Sequence, residues 1–178
     1  MLEIVVPGHE FFDEDKNEFV TTKSTKLVLE HSLISLSKWE SKWEKPFLSS
    51  NKTVPETIDY IRCMTLTQNV DPLIYNSLSD ENVRAVVAYI ELPMTATKVK
   101  SQKRARNNEI VTAELIYYWM IALNIPFECQ KWHLNKLLTL IEVCSIKSQP
   151  QKKMSKSDIL RSNRELNAAR KAKYKTKG

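Results

Sequence analysis

Glycine is almost missing from this chain: Gly8 and Gly178 are the only two in 178 residues, where ordinary usage is about 7%. A phosphate-cradling loop, a dinucleotide-binding fingerprint and a nucleophile elbow each need clustered glycines, so none of them can be built here. The same scarcity disfavours an all-β fold with many tight turns. Long apolar runs are missing too. The longest, Leu115 to Leu123, has nine residues, whereas a spanning helix needs about 20. Cys63, Cys129 and Cys144 are an odd number, widely spaced and set in apolar stretches, which reads as reduced core thiols and not as a disulfide framework. Met1 to Pro7 shows neither a basic region nor a following small-residue cleavage site, so the expectation is a soluble, intracellular protein with no membrane segment.

What is present is charge, unevenly placed. Lys147 to Gly178 carries 11 Lys or Arg against Asp158 and Glu165, a net of +9, while the preceding residues hold 16 basic against 19 acidic, a net of −3. A near-neutral folded region followed by a cationic tail is the layout of a protein that reaches for an acidic partner.

Periodicity divides the rest. Met1 to Val6 is strand-like, Glu18 to Glu30 holds two further β-rich pieces, and the acidic Phe11 to Asn17 between them is turn-forming, giving a small N-terminal sheet or hairpin over residues 1–30. From His31 the period lengthens. Leu33, Leu36, Trp39 and Trp43 make a helical stripe that Pro46 ends. A second helix starts near Pro55 with Ile58, Ile61 and Leu66 inward and Tyr60 and Met64 on the flank; a third follows the Ser79 cap with Val83, Val86, Val87 and Ile90 buried. Met94 to Asn108 is a basic connection. Glu109 to Leu123 is apolar on nearly all sides, as suits the centre of a bundle or an oligomer contact, and a last core helix runs from Phe127 to Ile146.

The predicted fold class is therefore mainly α: a helical bundle over residues 31–146, the small N-terminal β element, and a basic tail over residues 147–178. Ser157 and Asp158 can cap a helix from Ile159 to Tyr174, but its apolar stripe is too thin to fold alone, so the helix is conditional.

Candidate chemistry is thin. Cys129 and His133, four apart, offer two ligands to zinc, but no paired spacing supplies the others, and a core thiol beside a partly exposed histidine is the simpler reading. Glu114 lies among aromatics without a histidine or second carboxylate at helical spacing. No catalytic residue, metal or cofactor is expected. Trp39 and Trp43 read as core or as an exposed aromatic anchor for a partner. In the tail, Arg161, Arg164, Arg170 and Lys171 are the expected partner contacts, gathered along one side of an induced helix. Only Tyr174 is available there for base stacking, which argues against single-stranded nucleic acid.

Five strings span most of the chain: HSLISLSKWESKWEKPFL (His31 to Leu48), TIDYIRCMTLTQNVDP (Thr57 to Pro72), PMTAT (Pro93 to Thr97), EIVTAELIYYWMIALNIPFECQKWHLNKLLTLIEVC (Glu109 to Cys144) and KKMSKSDILRSNRELNAARKAKYKTKG (Lys152 to Gly178). They resemble a family encoded by tailed phages and prophages of Gram-positive hosts. The resemblance implies a tail morphogenesis protein, by role a tail assembly chaperone that keeps the tape measure protein soluble and helps recruit tail tube subunits onto it in the host cytoplasm. It brings no catalytic residues. The alternative is a structural virion protein, a tail, connector or baseplate subunit whose basic tail threads between neighbouring virion subunits. Homo-oligomerisation is compatible with either. A DNA-associated factor ranks third, on charge alone, and an enzyme last.

Overall fold

In the computed structural model the chain opens with four short strands, β1 (Leu2–Val6), β2 (Glu10–Asp13), β3 (Glu18–Thr21) and β4 (Thr25–Leu29), and continues as α1 (Leu33–Trp43), α2 (Val54–Met64), α3 (Asp80–Glu91), α4 (Ala113–Ala122), α5 (Leu134–Ser148) and α6 (Lys156–Tyr174). The structure describes residues 1–13, 17–99, 109–148 and 156–174. They form two compact units, Met1–Ile146 and Lys147–Gly178. The fold is mainly α with a small N-terminal β element.

β1 pairs antiparallel with β4 in the register Ile4↔Leu27, and β2 with β3 in the register Phe12↔Phe19. Alternation puts Ile4, Val6, Leu27 and Leu29 on the buried face. The segment expected to turn, Phe11 to Asn17, is strand as far as Asp13, because Phe12 finds Phe19 opposite it with ring centroids 5.1 Å apart. Gly8 sits where no side chain fits: a Cβ there would lie 2.3 Å from the Thr22 carbonyl oxygen. Thr22 also ties this corner together, its hydroxyl accepting from His9 N and donating to His9 O.

Helix ends follow their caps. Ser32, Thr53 and Ser79 each accept from the backbone three residues on and complete capping boxes with Ser35, Glu56 and Asn82. With glycine unavailable, the left-handed positions fall to Asn17, Asn69, Asn124, Glu44 and Met94.

Helix α1 contacts α2 and α4, while α3 packs on β1. The core is lined by Leu33, Leu36 and Trp39 of α1, Tyr60, Ile61 and Met64 of α2, Ile116 and Met120 of α4, and Leu134 and Leu137 of α5. Several sequence expectations change here. Tyr60 and Met64 are core and Leu66 is exposed, since α2 ends at Met64 and Leu66 pairs instead with Val28 through its N–H. Tyr89 takes the buried place expected of Val87. The single helix expected from Phe127 is a short 3-10 turn, Phe127–Lys131, followed by a break and α5. The break is tertiary in origin: Ser32 and His133 form a β-bridge, and Leu134 N donates to His31 O at 2.7 Å. Of the basic connection, Met94 to Val99 is irregular, whereas Lys100 to Asn108 lies outside the described residues.

Candidate functional site

The Trp39 to Phe47 stretch is a structural clamp on α2. Trp39 is fully buried, its indole N–H donating to the Glu56 carbonyl at 2.8 Å and its ring meeting Phe47 edge-on. Trp39 has no surface to give a partner, because the stripe begun by Leu33 and Leu36 carries it into the core. Trp43 is half-buried, with its N–H on Asp59 Oδ2 at 3.0 Å; Lys42 also pairs with Asp59, and Lys45 with Glu56. The Lys45 hydrogen bond first, and then the Thr53 N–H donating to the same carboxylate, hold the Glu56 carboxyl down to about 2. Buried Glu40 accepts from Phe47 N and from Ala113 N, both at 2.7 Å. One carboxylate thus pins a loop and neutralises the amide end of α4.

A second polar cluster joins strands and helices. His31 Nδ1 lies 2.5 Å from the Tyr60 hydroxyl, and the His31 and His133 rings meet at 5.1 Å. His133 Nε2 lies 3.1 Å from the Tyr89 carbonyl, while the Tyr89 hydroxyl donates to Glu30. Burial, reinforced by His133, pushes the His31 imidazole down to about 3, and burial lowers His133 too. His133 is buried and not partly exposed as expected. Neighbouring Cys129 is also buried, and no group of three metal-capable side chains occurs among the described residues. Sequence reasoning missed this cluster because its members come from four separate segments, with no spacing to mark them.

An open depression of about 250 Å³ is lined by Arg62, Thr65, Thr67, Val70, Pro72 and Tyr75, and its polar atoms are partly used internally, Tyr75 donating to Thr65. Glu114 is exposed on α4.

Helix α4 is one of several elements with exposed apolar side chains. Helix α4 buries Ala113, Ile116 and Met120, so it is not enclosed on all sides. Its opposite face presents Glu114, Tyr118 and Ile121, spaced at four and three residues, with Tyr118 63% and Ile121 61% exposed. The Tyr117 and exposed Phe127 ring centroids lie 6.4 Å apart, and Glu109, Glu114 and Glu128 are exposed, as is Lys131.

In the second unit, α6 carries Arg161, Arg164, Arg170 and Lys171, all exposed. At 100° per residue Arg161, Arg164 and Lys171 fall within about 80° of one another, but Arg170 lies about 100° away from Lys171. The expected single cationic side is therefore three residues wide. Arg170 instead lies within about 20° of Ile159 and 40° of Leu166. Arg161 pairs with Glu165 at 3.2 Å. Ser157 and Asp158 fall inside the first turn, since the helix begins at Lys156.

Comparison with protein-family models, with curated proteins and with solved structures gave no match.

Proposed function

We propose that this chain is a non-catalytic assembly protein of phage tail morphogenesis, a tail assembly chaperone that binds the tape measure protein and helps bring tail tube subunits to it. The observation that carries the reading is the α4 face: Tyr118 and Ile121 stand exposed on a helix whose other side is core. A long helical client with apolar patches is covered by such a face through alternating side-chain contacts. The cationic side of α6, Arg161, Arg164 and Lys171, supplies a charged arm for an acidic surface on a second component. The strings His31 to Leu48 and Glu109 to Cys144, which carry the family resemblance, include the clamp and the α4 face.

The test is co-expression with the tape measure protein, followed by analysis of purified infectious particles. The chaperone is expected to co-purify with tape measure protein during assembly and to be absent from finished virions, and truncation after Ser148 should weaken recruitment while leaving the first unit folded. The second reading, a structural virion subunit, draws on the exposed Ile159, Leu160, Leu166 and Tyr174 of α6, which a permanent neighbour would cover. Stoichiometric protein in mature tails would establish that reading and end the chaperone one.

A further inference from the structure

Helix α4 and helix α6 have complementary exposed faces. On α4 the apolar pair Tyr118 and Ile121 is continued by Glu114, and Ala113 to Ala122 contains no basic residue. On α6 the apolar pair Ile159 and Leu166 is continued by Arg170 on the same stripe. Apolar side chains exposed on both, with charges of opposite sign beside them, are the requirements for helix-on-helix docking with a fixed register. One spacing agrees: Glu114 to Tyr118 on α4 and Leu166 to Arg170 on α6 each span four residues, about 6 Å of helix. A 19-residue helix with so few apolar side chains gains stability from a surface that covers its stripe.

We infer that the α4 face receives α6 from a second copy of this chain, so that the free protein self-associates through the Ile159, Leu166 and Arg170 stripe of one copy on Tyr118, Ile121 and Glu114 of another. The cationic side formed by Arg161, Arg164 and Lys171 points away from that contact and is left for a different partner. This contact shares the Tyr118 and Ile121 face with the proposed client contact, so the two compete for it; it is tested on the protein alone, and its failure leaves the client reading standing.

Sedimentation of the full chain alone, over a concentration series, tests it. Wild-type protein is expected to associate reversibly, with association weakening as salt rises. Ile121→Glu and Arg170→Glu should each weaken association about tenfold or more, a change of about 1.4 kcal/mol, whereas Arg161→Glu should leave it near wild type. Both substituted positions are solvent-exposed, and circular dichroism with thermal melts establishes that each variant is folded; Tyr118→Lys serves as a second variant on the α4 face. A wild-type chain that stays monomeric throughout would overturn the inference, as would association unaffected by both Ile121→Glu and Arg170→Glu.

Discussion

Glu40 carries more of the architecture than its polar nature suggests. A carboxylate buried between two helices is costly unless its oxygens are bonded, and here each accepts a backbone N–H, from Phe47 and from Ala113. Glu40→Ala strands two buried donors at about 1–3 kcal/mol each, so urea unfolding should show a loss of several kcal/mol. Glu40→Gln keeps one acceptor and should lose less. The histidines give a pH signature. His31 falls to about 3 from an ordinary 6.5, and His133 is lowered too, both chiefly through burial. Because the unfolded chain binds these protons more tightly, stability is complete above about 6.5 and declines as pH falls towards the folded values. Glu56, lowered to about 2 from 4.5, contributes stability that is full above 4.5 and lost only below it. The interval from 6.5 to 4.5 therefore reports the histidines. Denaturation midpoints should fall between about pH 7 and pH 5, and a flat profile would contradict two buried neutral rings.

At the level of elements, Glu44 closes α1 in a left-handed conformation, with φ 51°, while its N–H still reaches Glu40 O. A side chain there costs about 1–2 kcal/mol that glycine avoids. Glu44→Gly should therefore raise thermal stability by up to about 1 kcal/mol after the added freedom of the unfolded chain is subtracted, as calorimetry would measure. The cap of α3 was legible in the sequence because Ser79 acts on its own next turn, as Ser32 and Thr53 do at α1 and α2. The break at Trp132 and His133 was not, because the bonds that create it run to His31 and Ser32, a hundred residues earlier. For the same reason Trp39 was undecided between core and surface: its stripe is visible locally, but its partner Glu56 belongs to another helix. The charge asymmetry of α6 is a matter of composition, and the displacement of Arg170 from the other cations follows from helical spacing alone, at 100° per residue.

Across the whole first unit, the covalent path and the packing path differ. Residues on either side of the 100–108 stretch are joined by contacts that do not depend on it: Glu40 holds Ala113, Leu134 N donates to His31 O, and Asn135 donates to the carbonyls of Ile90 and Leu92. Ile116, Met120, Leu134 and Leu137 supply part of the same buried core as Leu36 and Trp39. Cutting the backbone between Val99 and Glu109 removes one tether and none of those bonds. Two separately encoded peptides, residues 1–99 and 109–178, should then find each other, co-purify and melt in a single transition whose midpoint depends on concentration. Independent melting of the two pieces would show that the tether is required. The Glu40 bridge in this way makes the domain a two-part lock that can be assembled from halves, and reconstitution becomes a direct readout of whether its buried seam has formed.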